Sequence, residues 1–290
     1  MGLSKGQKAL LLGLGLFWGA TANVLAGVTE TDPPTLHPID PARVAVPAVE
    51  LRPDFKKYFD AANVKGAFVL FAVSAKSYVR YNPERCEERF LPASTFKVMN
   101  ALMALEAGVV QDENTMLSWN GTQYQIADWN RDQTLQSAMV ASVVWYFQEL
   151  ARGLGKERMQ HFVDEVGYGN RNLTGPVDSF WLDGGLRISA DEQVEFLRRL
   201  YQNDLPFSSR SMEIVKRILV MEDTSSHRLS GKTGAVQRAG QPIGWFIGTV
   251  EKSGQLYCFA TNIEGANVDD AFLKARLDIT RQILVDLGVL

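Results

Sequence analysis

Cysteine and histidine are scarce in this chain: two cysteines and three histidines among 290 residues. His37, His161 and His227 stand apart with no ligand spacing, which argues against a bound zinc and so against metal-assisted hydrolysis. Cys86 and Cys258 are too few and too far apart to define a disulfide framework. They can pair or stay free, and Cys258, inside the strand-like Tyr257-Cys258-Phe259-Ala260, reads as a small buried hydrophobe. A basic excess is also missing. Lys and Arg number 30 against 33 Asp and Glu, a formal net charge of -3, and no long basic run appears, so nucleic acid and anionic membranes are not expected partners. No apolar run reaches the ~20 residues needed to span a bilayer, so no stable membrane anchor is expected.

What is present is an ordinary globular composition, 46% hydrophobic and 22% charged, long enough for one large core or two lobes. At the N-terminus, Lys5 and Lys8 precede an apolar run over 9–18, followed by Ala20, Ala22 and Ala26. This pattern predicts a signal peptide over 1–26, cleaved after Ala22 or Ala26, and therefore export to the periplasm. A single catalytic domain over 27–290 would remain. Its Pro-rich start, 32–53, is expected to be irregular surface chain.

The rest of the chain is organised around Pro92-Ala93-Ser94-Thr95-Phe96-Lys97. If 91–107 is helical, Ser94 and Lys97 share a face one turn apart, and the amine can reach the hydroxyl. A serine hydroxyl is a weak nucleophile without a base beside it. A lysine serves as that base only where burial or chemical modification removes its charge.

Before this helix, 65–73 reads as a buried strand and 77–81 as its hairpin partner. After it, helices are expected at 134–152, 156–166, 189–202 and 209–220, with indole-bearing stretches at Trp119 and Trp129. Strand patterns return in 230–235, 244–250 and 255–263, an antiparallel meander, and 269–287 closes as an amphipathic helix. The expected fold is therefore α+β: an antiparallel sheet built from both ends of the chain, about 54–90 and 225–290, with a mainly helical subdomain over about 91–224.

Ser-x-x-Lys alone is a weak signal, but its combination with Lys232-Thr233-Gly234 is a mark of penicillin-recognising serine enzymes. On an edge strand, Lys232 and Thr233 can hold a substrate carboxylate while Gly234 lets the substrate backbone approach. Five motifs, Ser94-Thr95-Phe96-Lys97, Ser142-Val143-Val144, Tyr168-Gly169-Asn170, Phe180-Trp181-Leu182-Asp183-Gly184 and Lys232-Thr233-Gly234, follow in order. In these motifs and their spacing the chain resembles the class D, oxacillinase-type serine β-lactamases from about 68 to 276.

That resemblance implies a serine β-lactamase of the β-lactamase/transpeptidase-like fold, acting on penicillin-type antibiotics and conferring resistance. Ser94, Lys97, Ser142 and Trp181 would be catalytic. No cofactor is implied beyond carbon dioxide or bicarbonate, which would N-carboxylate Lys97, with the Trp181 indole N–H holding the carbamate. On sequence alone, apart from the resemblance, Trp181 reads first as a core aromatic. Val144, Leu182 and Phe96 make the lysine pocket apolar, a setting that lowers an amine's pKa. Backbone N–H groups of Ser94 and Ala235 would form the oxyanion hole. Lys232, Thr233, Gly234 and Arg276 would bind substrate together with Val144 and Leu182.

The chain departs from the family pattern at Val98-Met99, which replaces isoleucine-proline, and at Ala235, where an aromatic is usual. Arg276 aligns with the carboxylate-binding arginine only across a small gap. Tyr168 is expected to line the cleft, with Gly169 permitting a turn that Asn170 braces. The competing readings are a penicillin-binding transpeptidase and a β-lactam sensor that is acylated without turnover. Whether the chain is a monomer or a homodimer does not follow from the sequence.

Overall fold

The apolar run in β2 (Lys65–Ala72) alternates strictly between two cores, which places it inside a sheet covered on both faces. The computed structural model describes residues 47–238 and 241–290, within the unit Val46–Leu290. The signal peptide expected over 1–26, and residues 27–46 after it, lie outside the described residues.

In chain order the described elements begin with β1 (Ala48–Leu51), α1 (Lys56–Ala61), β2, β3 (Ser77–Tyr81) and α2 (Pro83–Glu87). There follow α3 (Phe96–Glu106), β4 (Met116–Leu117), β5 (Gln133–Thr134), α4 (Leu135–Val140), α5 (Val144–Leu154), α6 (Lys156–Val166), α7 (Ala190–Tyr201) and α8 (Ser209–Ile218). The chain closes with β6 (Val220–Asp223), β7 (Arg228–Arg238), β8 (Gln241–Lys252), β9 (Gln255–Glu264) and α9 (Asp270–Asp286). Seven strands form one sheet in the order β1-β3-β2-β9-β8-β7-β6, so strands from the two ends of the sequence meet where β2 pairs with β9. Every neighbouring pair is antiparallel except β1 with β3.

That parallel edge strand stands where irregular chain is expected. All four β1 residues are exposed, so backbone pairing with β3 holds the strand and no buried side chain marks it in the sequence. On one face of the sheet Phe68 and Leu70 of β2 join Phe246, Phe259 and Ile263 beneath Phe272, Ile279 and Ile283 of α9. On the other, Ala67, Val69 and Phe71 join Trp245, Ile247 and Ala260 beneath Ala190, Val194 and Leu197 of α7. A third and larger cluster gathers α3, α4, α5, α6 and α8 around α3.

Helix α3 is buried from Phe96 through Leu105. A helix with no wet face is a core element, and any polar side chain on it must be satisfied internally. The expected single helix over 134–152 is instead two, α4 and α5, separated by the turn 141–143, where Ser142 adopts a positive φ of 55°. Apolar periodicity continues on both sides of this break, and neither proline nor glycine marks it, so nothing local in the sequence announces it.

Cys86 and Cys258 are both free and fully buried, and burial pushes each thiol up to about 12. Native protein should therefore leave an aromatic disulfide reagent unreacted over minutes, and denaturant should release both thiols of the chain. Release of fewer than two without added reductant would contradict the unpaired state.

Candidate active site

The first turn of α3 carries the centre of the site. Ser94 lies in a short 3-10 turn, Ala93–Thr95, that runs directly into α3, and Ala93 before it has a positive φ of 49°. The left-handed conformation is unfavourable for a residue with a Cβ, so the surroundings must hold it. Several bonds do so. The Ala93 N–H donates to Trp181 O at 3.1 Å, and the Trp245 indole N–H donates to Leu91 O at 2.9 Å. The Thr95 hydroxyl donates to Pro92 O at 2.7 Å and accepts from the Gln193 amide at 2.8 Å.

One turn on, Lys97 is 1% exposed and its Nζ lies 2.6 Å from Ser94 Oγ. Burial, and after it the neighbouring Lys232 charge, hold this amine well below the usual lysine range. The Phe147 ring centre lies 5.6 Å from Nζ, and Phe96 stacks on Trp181 at 5.4 Å and 24°. Trp181 is itself fully buried, and its Nε1–H has no hydrogen-bond acceptor among the described residues.

Ser142 reaches the same centre from the α4–α5 turn. Trp129 braces this turn, its indole N–H donating to Ala141 O at 3.0 Å while its own carbonyl accepts from the Trp145 indole at 2.9 Å. Lys232 of β7 donates to Ser142 Oγ at 3.0 Å and to Thr233 O at 3.1 Å. Burial, and after it the nearby Arg276 charge, lower the Lys232 amine to about 7.

Strand β7 lies against the Ser94 turn because it has no side chain where the two meet. A Cβ added at Gly234 would stand 3.1 Å from Pro92 O and 3.2 Å from the backbone nitrogens of Ser94 and Thr95. On the far side, Arg276 of α9 donates to Gly234 O at 3.1 Å, and burial lowers its guanidinium to about 10. Thr233 and Ala235, half-buried, flank Gly234 on β7, while Val144 opens α5 two residues after Ser142 and Leu182 directly follows Trp181. Direct bonds or close backbone approach thus join Ser94 with Lys97, Lys232 with Ser142, Trp181 with Ala93, and Gly234 with both Ser94 and Arg276. Val144, Leu182, Thr233 and Ala235 take their places by chain adjacency.

Tyr168 does not line the cleft. It is 2% exposed and packs edge-on against Phe96 at 5.7 Å and Phe196 at 5.1 Å, a core position beneath the nucleophile helix. Asn170 braces its turn, donating to Gly185 O and accepting from the Arg187 N–H, both at 2.9 Å. Sequence reasoning missed Phe147, Gln193 and Trp129. Phe147 lies one turn beyond Val144 on α5, a legible helical spacing, whereas the bonds of Gln193 and Trp129 depend on chain folded from elsewhere.

Lys97 and Lys232 are buried and Arg276 is half-buried, and none of these basic side chains has a carboxylate partner among the described residues. Such a site loses hydration without internal compensation, and it favours both a neutral amine and the binding of anions.

Comparison with known proteins agrees with this geometry. A family model described as "Penicillin binding protein transpeptidase domain" matches residues 58–285. The chain is 42% identical over 227 residues to Beta-lactamase OXA-48 of Klebsiella pneumoniae, covering 78% of this chain and 85% of that protein. It is also 42% identical over 213 residues to the Regulatory protein BlaR1 of Bacillus licheniformis, covering 73% of this chain but only 35% of that longer protein. Among solved structures, the class D β-lactamase YbXI from Nostoc superposes with a TM-score of 0.79 at 40% identity, covering 81% of this chain and 99% of that one. By family model, sequence and structure together, this chain belongs to the class D serine β-lactamases within the penicillin-binding transpeptidase-domain family.

Proposed function

We propose that the chain opens the β-lactam ring of penicillin-type antibiotics through a Ser94 acyl-enzyme, that N-carboxylated Lys97 is the general base of both half-reactions, and that this activity confers resistance from the periplasm. The observation that carries the reading is the group of basic side chains around Ser94 (Lys97, Lys232 and Arg276) with no carboxylate partner among the described residues. Two anions would complete the site: a carbamate on Lys97, and the substrate carboxylate beside Lys232 and Arg276.

A neutral Lys97 amine adds to carbon dioxide with formation of an N–C bond and release of one proton to solvent. The negative charge this leaves on Lys97 attracts Lys232 and favours its protonated form. The acceptorless Trp181 Nε1–H supports the assignment, since a buried donor without a partner costs about 1–3 kcal/mol. In the first half-reaction carboxylated Lys97 takes the Ser94 proton, the Ser94 Oγ–carbon bond forms, and the lactam C–N bond breaks. Ser142 delivers a proton to the departing nitrogen and is reprotonated by the Lys97 carbamic acid, which restores the carbamate for the second half-reaction, with Lys232 hydrogen-bonded to Ser142. Backbone N–H groups of Ser94 and Ala235 receive the oxyanion. In the second half, carboxylated Lys97 takes a proton from water, whose oxygen replaces Ser94 Oγ on the carbonyl carbon, and Ser94 regains its proton. Thr233 shares the substrate carboxylate with Lys232 and Arg276, while Val144 and Leu182 present apolar surface to the bound ring.

A second reading, a β-lactam sensor that is acylated once, draws on the likeness to BlaR1. Purified protein separates the two with a chromogenic cephalosporin. Repeated turnover is expected, and a single burst equal to the protein concentration would favour the sensor.

The pH dependence has a definite sign. Burial, and after it the Lys232 charge, lower the Lys97 amine, which favours its neutral form, and it gains a proton as pH falls through its depressed value. Only the neutral amine takes up carbon dioxide. Activity should therefore decay on degassing in mild acid and return on adding bicarbonate, and activity indifferent to bicarbonate would contradict the base assignment. Lys97→Ala should slow deacylation on the order of 10³-fold. Intact-protein mass spectrometry should then show a persistent acyl-enzyme, and rapid loss of the adduct would remove Lys97 from the second half-reaction.

A further inference from the structure

A groove of about 250 Å³ extends from Lys232 and Thr233 toward β6. Its walls include Met139 and Val140 at the end of α4, Leu219 and Met221 around the start of β6, and Lys232 and Thr233 of β7. Lys232 is the charged member of the lining among the described residues; the rest is apolar apart from Thr233 and backbone. Val140 is 73% exposed and Met221 45% exposed. A single exposed hydrophobe needs no explanation on a protein surface. Two that converge from separate elements on one groove, continuous with residues of the substrate site, form an apolar extension of that site.

We infer that this groove is a subsite for the apolar substituent that some β-lactams carry on the ring carbon next to the carboxylate-bearing carbon. The inference rests on the proposed role of Lys232 and Thr233 in holding that carboxylate. With the carboxylate fixed there, the adjacent ring carbon faces the part of the cleft that continues over Val140 and Met221. In cephalosporins this carbon is C3, which carries a variable arm. In penicillins the equivalent carbon bears only two methyl groups, too short to enter. Aryl or alkyl arms would bury apolar surface against Val140 and Met221, whereas anionic arms would lose hydration there without a second cation to receive them. Val140 and Met221 are accordingly specificity-determining residues for the arm, remote from the bonds that break.

The test is the second-order rate constant of acylation, which is defined whether the protein turns over or is acylated once. Three compounds are compared: benzylpenicillin, a cephalosporin with a C3 methyl group, and the same cephalosporin nucleus with a C3 aryl-bearing arm. In the double variant Val140→Gln, Met221→Gln, the aryl-armed compound should lose about 10-fold in rate, the value of burying a few methylene equivalents. The other two should change less than about twofold on the same scale of effects. Because both positions are exposed, the melting temperature should hold. Equal losses on all three compounds, or no loss on the aryl-armed one, would overturn the subsite. If none of the three acylated the wild-type protein, the hydrolase reading would fall and the subsite with it, a result distinct from unchanged selectivity.

Discussion

The structure depends on an amine placed on a helix that has no face in water. From Phe96 to Leu105 the side chains of α3 are buried, so Lys97 cannot extend its ammonium to solvent as a lysine ordinarily does. Holding a charge there costs several kcal/mol without a partner, on the order of what burial exacts from any unpaired ion. The described residues provide a hydroxyl at 2.6 Å and no carboxylate. The helix is stable because its neutral side chains belong to the largest apolar cluster, and that stability forces the lysine into an unusual state. Packing energy is thereby converted into chemical reactivity.

The remaining elements keep this amine dry and hold Ser94 beside it. Aromatic rings close the site from below: Phe96 stacks on Trp181 and meets Tyr168 and Phe180 edge-on. Strand β7 closes it from the side, where the lack of a Cβ at Gly234 lets the strand approach the Ser94 backbone. The Ser94 turn and β7 are far apart in sequence, and the close approach of Gly234 to Pro92, Ser94 and Thr95 joins them. Anchors placed outside the chemistry, such as Trp245 on Leu91 and Gln193 on Thr95, hold the strained turn at Ala93.

Much of this was legible from residue patterns, for physical reasons that differ by element. The run 65–72 announces a strand because burial on both faces demands unbroken apolar chain, and α6, α7 and α9 show a one-sided periodicity that survives in the fold. Ser94, Lys97, Ser142, Lys232 and Gly234 stood out through ordered motifs, since reactive groups at fixed spacing leave a signature that packing residues do not. What escaped depends on tertiary context. The turn that separates α4 from α5 has no glycine or proline at 141–143, yet Ser142 is held with a positive φ there by neighbours such as Trp129. Tyr168 has the appearance of a cleft residue in its motif, but its ring is drawn beneath Phe96, where an edge-on contact is available. The pairing of β1 is a backbone event on an exposed edge and leaves no hydrophobic trace.

The account stands or falls on the chemical state of Lys97. Wild-type protein equilibrated with carbon-13 bicarbonate at neutral pH should show a carbamate carbon resonance, absent from Lys97→Ala and lost from the wild type on acidification. A wild-type protein that turns over β-lactam steadily yet shows no carbamate resonance would contradict the carboxylated base and return the buried amine itself to consideration.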